Sequence, residues 1–360
     1  MASLLKNLYN EEYISLLATN ISLFYKEFDV ENFTKEIFVE SYENLELKER
    51  MRHISTMLGT HLPSDYKESI EILKQVFSSM NYTFSLENMI FQDFVEVYGL
   101  NDFKISMDTL ESFTKQSSSE FAIRKFILKY PEETLQQMLL WTASNNEHVR
   151  RLASEGCRPR LPWAISLPLF KKNPTKILEI LTLLKDDESK YVRKSVANNL
   201  NDISKDNPEI LKRVTKKWIG ASRRRDSLLK HGCRTLLKNS DREILELFGF
   251  KEPTKIQLKN FCFTKDVKLG RSLNFSFEII SKEVLGQMRV EFALDFLRKN
   301  GQQNRKVFKI SEATVLENRK TISKSYSFKK ISTRVYYRGK QRVSILINGV
   351  SFVSEEFTLS

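Results

Sequence analysis

The apolar residues of this chain change their period once, near residue 250, and that change sets the architecture. Before it they recur every three or four positions, as in "SIEILKQVFSSM" and "MDTLESFTKQ", the repeat of an amphipathic helix. After "LFGFKEPTK" they alternate. Leu273, Phe275, Phe277 and Ile279 fall on one side of "SLNFSFEII", the period of a strand with one buried face. "QMRVEFALDFL" and "KSYSFKKI" behave similarly, and Asn348-Gly349 within "RVSILINGVSFVSEEFTL" is a two-residue hairpin signal. The sequence predicts a multidomain α + β protein, with helices over 1–250, a linker around Pro253 and a small β-sandwich over 255–360. Its 360 residues are enough for two separate cores.

Three helical stretches rhyme: "EHVRRLASEGCR" (147–158), "SKYVRKSVANNL" (189–200) and "RRDSLLKHGCRT" (224–235). When they are superposed, Val149 matches Val192, and Glu155-Gly156-Cys157-Arg158 matches His231-Gly232-Cys233-Arg234. Each follows another helical stretch that begins at or beside a proline, a residue suited to a first helical turn because its missing N–H is not needed there. Repeated helix pairs of roughly 40 residues are the mark of a HEAT- or armadillo-like solenoid. The second helix of each pair carries the Arg and Lys, so the face they line is expected to be positive.

Charge is spread unevenly. Residues 1–140 carry a net −9, 141–250 a net +10 and 251–360 a net +12. Basic surface at that density draws polyanions, nucleic acid before anionic membrane. No apolar run approaches the ~20 residues that cross a bilayer. "MASLLKNLYNEEYISLL" is too acidic for a signal peptide. No amphipathic anchor or lipidation signal accompanies the basic β domain. A cytoplasmic, nucleoid-associated monomer is expected. Three scattered cysteines and four histidines give neither a disulfide framework nor zinc-ligand spacing. With no glycine-rich phosphate loop or nucleophile elbow, the chemistry is expected to need no metal and no cofactor.

The stretch "HVRRLASEGCRPRLPWA" (148–164) concentrates the unusual residues. A helix capped by Asn145 or Asn146 places Arg151 and Glu155 four apart on one face. Gly156 suits a left-handed helix end, and Pro159 bars continuation. The "RPRLPW" turn then brings Trp163 back beside a carboxylate flanked by Arg151 and Arg158. On spacing alone, Arg151–Glu155 also fits an ordinary surface pair worth tenths of a kcal/mol.

"SSSEFAIRKFI" (117–127), "HVRRLASEGCRPRLPW" (148–163), "VRKSVANNLNDISKDNPE" (192–209) and "HGCRTLLK" (231–238) closely resemble the AlkC branch of the HEAT-like DNA alkylation-repair glycosylases. "LYNEEYI", "LELKERMRHIS" and "VYGLNDFKIS" look like that family too, and the C-terminal strands resemble the immunoglobulin-like domain of some members. Lys125 is one departure, standing where the family pattern has proline. The resemblance implies a monofunctional glycosylase that removes cationic N-alkylated bases, 3-methyladenine and 3-methylcytosine being typical, from double-stranded DNA without deep base flipping. It also implies that Glu120 and Glu155 are active-site carboxylates and Trp163 an aromatic wall, with Arg151, Arg158 and Asp202 lining the same cleft. Arg150, Arg160, Arg193, Lys194 and Arg234, basic residues of the same repeats, are expected to contact the DNA with them.

The chemistry fits those residue types. An N3-alkylated base is already cationic and leaves without a general acid. The sugar then becomes an oxocarbenium-like cation, which a placed carboxylate stabilises while aligning water. A non-catalytic helical-repeat scaffold binding DNA or an acidic protein is the alternative reading. Paired carboxylates on a positive face count against it, because they repel phosphate.

Overall fold

The structure, a computed structural model, describes residues 4–80, 84–332 and 334–360, so the first three residues of the N-terminal stretch read above lie outside the described residues. The chain divides into two compact units, Met1–Asn207 and Pro208–Ser360.

The first unit is helical. Its elements begin with α1 (Glu11–Phe24), α2 (Val30–Ile37), α3 (Leu47–His61) and α4 (Tyr66–Ser79). Next come α5 (Met89–Tyr98), α6 (Phe103–Phe113), α7 (Ile123–Lys129) and α8 (Pro131–Trp141). It ends with α9 (Glu147–Gly156), α10 (Pro168–Lys172), α11 (Thr175–Leu184) and α12 (Lys190–Asp206). Side-chain caps start many of them: Asn10, Asp29, Asp65, Asn146 and Ser189 each accept a backbone N–H of the first turn. α8 begins on Pro131, as the sequence predicts. Among these helices α9 lies against α8, α11 and α12. Val149, Leu152, Val192, Val196 and Leu200 are buried between them; each such aliphatic side chain contributes about 1.5–3 kcal/mol. Lys125 is exposed in the first turn of α7, whose Ile123, Arg124 and Phe126 are buried.

The second unit opens with α13 (Pro208–Trp218), α14 (Arg223–Gly232), α15 (Arg234–Lys238) and α16 (Arg242–Leu247). It continues as strands β1 (Ile256–Phe263), β2 (Asp266–Val267), β3 (Ser272–Ser281) and β4 (Gly286–Leu297). Then follow β5 (Gln303–Val315), β6 (Arg319–Ser327), β7 (Gly339–Ile347) and β8 (Val350–Leu359). One sheet has the order β1-β3-β6 and the other β2-β8-β7-β4-β5. Leu273, Phe275, Phe277 and Ile279 of β3 share a core with Val290, Phe292 and Leu294 of β4 and Val343, Ile345 and Ile347 of β7. This is the predicted sandwich. Asn348 and Gly349 join β7 to β8 with positive φ at both (47° and 82°), the geometry of a type I′ turn.

The switch from helix to strand falls between Leu247 and Ile256, where the apolar period changes. The division into units falls earlier, because α14–α16 pack on the five-stranded sheet. Arg242 donates to the Asn348 carbonyl at 3.3 Å, Gln287 donates to the Phe248 carbonyl at 2.9 Å, and Lys230 pairs with Glu312. That cover explains β4. Its predicted alternation is lost, and Arg289 and Glu291 are buried as an ion pair of 2.5 Å on the face the helices cover.

Candidate active site

The site is built on α9. Asn146 is its N-cap, accepting the N–H groups of His148 (2.9 Å) and Val149 (3.4 Å). The predicted left-handed closure at Gly156 is not what forms. Gly156 is the last helical residue and has no positive φ, and Cys157 follows at φ −88°, ψ 8°. Glycine stands there for space: a Cβ would lie 2.6 Å from Ile123 Cγ2 and 2.9 Å from Met138 Cε. Cys157 and Cys233, equivalent in the repeat, are both buried next to their helix ends, and burial pushes both thiols up to about 12. That makes them inert packing groups.

Along one edge of α9 the charged groups alternate in sign. Glu120 Oε2 lies 2.7 Å from Arg151 Nη1, and Arg151 Nη2 lies 3.6 Å from Glu155 Oε1. Glu155 Oε1 lies 2.6 Å from Arg158 Nη1, and Arg158 Nε lies 2.9 Å from Asp202 Oδ2. Lys205, partly exposed, closes the line on Asp202 at 3.0 Å. Three carboxylates therefore face two guanidiniums, with one lysine at the rim. Glu155 is no surface pair. It is 5% exposed, and its closer partner is Arg158, beyond the helix end, rather than the helical neighbour Arg151. Burial opposes the charge on both arginines. Glu120 and Glu155 outweigh it at Arg151, and Glu155 and Asp202 at Arg158, so both pKa values stand above the ordinary arginine value.

The segment after α9 is pinned from below. Arg124 of α7 is fully buried and donates through Nε to the Ile165 carbonyl (2.7 Å) and through Nη1 to those of Gly156 (2.9 Å) and Arg158 (2.8 Å). Burial pulls its pKa down to about 10, which still leaves it charged at neutral pH. Trp163, on this segment, is 67% exposed and has φ +62°. A left-handed backbone on a bulky residue costs on the order of 1–3 kcal/mol. Lys48 of α3 donates to the Trp163 carbonyl at 2.9 Å while its Nζ stands 4.6 Å from the centre of the Phe121 ring. One lysine thus ties the Trp163 backbone to the neighbour of Glu120. The structure brings together Glu120, Arg151, Glu155, Arg158 and Asp202, and Trp163 lies on the segment that follows, held by Arg124 and Lys48.

The other basic residues are placed elsewhere. Arg150 forms a two-toothed pair with Asp187 (2.7 and 3.1 Å) and donates to the carbonyls of Ser144 and Asn145. Arg193, its repeat equivalent, donates to the carbonyls of Asp187 and Glu188. Both arginines fasten the turn before α12 and do not enter the cluster. Arg160 pairs with Asp206 at 2.6 Å, Lys194 is exposed on α12, and Arg234 belongs to the second unit. Sequence reasoning missed Ser118, which donates to Glu120 (2.8 Å) and accepts from Arg151 (3.3 Å). It also missed Tyr191, whose ring centre lies 4.8 Å from the Arg151 guanidinium carbon. The repeat held a signal for the latter, since Tyr191 aligns with His148.

Comparison with known proteins bears on this arrangement. Residues 107–243 match the family described as DNA alkylation repair enzyme. Residues 257–360 match the one described as the C-terminal Ig-like domain of the uncharacterised protein YhaZ. YhaZ of Bacillus subtilis (strain 168) is 44% identical over 347 residues, which is 96% of this chain and 96% of that one. The solved structure of the Pseudomonas fluorescens alkylpurine DNA glycosylase AlkC, bound to DNA containing an abasic site analogue, superposes with a TM-score of 0.94. It is 33% identical and covers 99% of this chain and 100% of its own.

Proposed function

Because the chain belongs to the AlkC-type DNA alkylation-repair glycosylases, we propose that it excises cationic N-alkylated bases, of the 3-methyladenine and 3-methylcytosine class, from duplex DNA by hydrolysis. The observation that carries this reading is the line Glu120–Arg151–Glu155–Arg158–Asp202, followed in the chain by the exposed Trp163. Its three carboxylates are balanced by Arg151, Arg158 and, at the rim, Lys205, so the line is neutral at rest and offers fixed carboxylate oxygens to a developing cation. A binding scaffold has no use for carboxylates fixed among the cations that would meet phosphate.

The base is a cation before the reaction starts, so its departure needs neither a general acid nor a Lewis acid. The barrier lies in the sugar. A carboxylate about 4 Å from the forming cation contributes roughly 4 kcal/mol at an effective dielectric of about 20, which is close to a thousandfold in rate. The arginines fix Glu120 and Glu155 in place, so little reorganisation remains when the C–N bond lengthens. One carboxylate aligns or deprotonates the water that attacks C1′. Trp163 offers its face to the cationic nucleotide, worth about 1–2 kcal/mol when water is excluded. Its exposure fits a wall against DNA that keeps the base in the duplex rather than the roof of an enclosed pocket.

The test is chromatography of free bases after incubating the purified protein with methylated duplex DNA. 3-Methyladenine is expected to appear at equal rates with and without chelator, while neutral lesions stay in place. DNA binding without release of any methylated base overturns the reading in favour of a scaffold.

A further inference from the structure

We propose that Tyr191 is a positioning residue for the reaction: its ring face holds the Arg151 guanidinium where it spans Glu120 and Glu155. The proposal rests on the reading of that cluster as the reaction centre. Arg151 is a long side chain with two unequal partners, Glu120 at 2.7 Å and Glu155 at 3.6 Å. Left to itself, a guanidinium in that position swings fully onto the nearer carboxylate and leaves the farther one held from one side only. What prevents the swing is the surface under its flat face, the Tyr191 ring at 4.8 Å. A guanidinium stacked on an aromatic ring keeps its edge donors free for in-plane hydrogen bonds, and those edges reach Ser118, Glu120 and Glu155.

The ring is itself held. Tyr191 is the second residue of α12, and its N–H is capped by Ser189 Oγ at 3.2 Å. Ser189 in turn donates to Glu147 in the first turn of α9, and Arg150 of α9 grips Asp187 just before α12. The starts of the two helices are thereby fastened side by side, which fixes the height of the ring over Arg151. Behind it, His148 meets Tyr191 edge-on at 5.5 Å and lies flat on Phe84 at 4.8 Å and 16°. The buried His148 Nδ1 has no hydrogen-bond partner among the described residues. Burial, together with Arg151, lowers the His148 pKa, so this neighbour stays neutral and does not push against Arg151. An aromatic column, Phe84–His148–Tyr191, thus ends on the guanidinium that joins the two acids. The mechanism proposed above makes no other use of it.

The experiment compares Tyr191→Leu and Tyr191→Phe in the full chain by three measurements. These are the single-turnover rate of 3-methyladenine release, the Kd for a lesion duplex, and the ring-current-shifted Nε–H resonance of Arg151, assigned with Arg151→Lys. Tyr191→Leu is expected to slow release by roughly 10- to 30-fold, to leave Kd within about twofold, because the residue acts through Arg151 rather than on DNA, and to abolish the ring-current shift. Tyr191→Phe keeps the ring face and is expected to match wild type in all three. An unchanged rate in Tyr191→Leu overturns the proposal. So does a Tyr191→Phe as slow as Tyr191→Leu, which puts the role in the hydroxyl, or a Kd that weakens by the same factor as the rate. If the wild-type protein releases no cationic base, the proposed function fails, and the Arg151 resonance alone then decides whether the ring holds the guanidinium.

Discussion

Glu155→Gln is expected to lower the single-turnover rate of 3-methyladenine release by about 10²- to 10⁴-fold while the duplex stays bound. Glu155 is the acid that stands between the two guanidiniums, 5% exposed and 2.6 Å from Arg158. Glutamine has nearly the same shape and still accepts a hydrogen bond from Arg158, so the fold survives. What goes is one unit of negative charge at the centre of the line. The same loss makes the surface more positive, so affinity for DNA holds or rises. The direction of the two effects therefore separates catalysis from binding. Equal rates for wild type and Glu155→Gln remove Glu155 from the chemistry.

Arg124→Met is expected to produce the largest loss of stability, about 3–5 kcal/mol. Methionine fills much of the same volume but donates nothing, so the carbonyls of Gly156, Arg158 and Ile165 lose buried donors at 2.7–2.9 Å. Those three carbonyls hold the segment that carries Arg158 and Trp163, so release of 3-methyladenine is expected to fall as well. Arg124→Lys recovers only part of the loss, because an ammonium does not reproduce the planar fork. Urea unfolding of both variants measures the effect. A midpoint equal to wild type in Arg124→Met shows that the three hydrogen bonds do not hold the segment.

Features written in short-range periodicity were legible. The two folds of the chain follow from a change of apolar period. The equivalence of Cys157 and Cys233 follows from a repeated phrase, and the β7–β8 turn from Asn348-Gly349, whose φ angles are 47° and 82°. Glu120 comes only through resemblance to a family, whereas Glu155 and Trp163 also stand out within the stretch 148–164. The "RPRLPW" turn suggested the return of the indole but said nothing of its exposure. What stayed illegible depends on pairings between distant elements. Arg150 and Arg193 look like any basic pair on a helix, and only the packing of α9 on α12 reveals that both fasten the turn at Asp187. Arg158 stands outside the helix and outside any periodic pattern, yet it joins Glu155 to Asp202, 47 positions apart in the chain. Gly156 was read as a conformational choice when its reason is a 2.6 Å approach by Ile123 from another helix. Strand β4 lost its alternation for the same kind of reason, since helices cover its second face.

The proposed stabilisation of positive charge on the sugar by fixed carboxylates is measurable without turnover. Duplexes carrying a cationic pyrrolidine in place of the sugar are compared with duplexes carrying neutral tetrahydrofuran, for wild type, Glu120→Gln and Glu155→Gln. Wild type is expected to prefer the cation by at least about tenfold, and each substitution to erode this preference while the affinity for tetrahydrofuran holds or rises. Equal binding of the two duplexes by wild type, or a preference that persists in both variants, contradicts it.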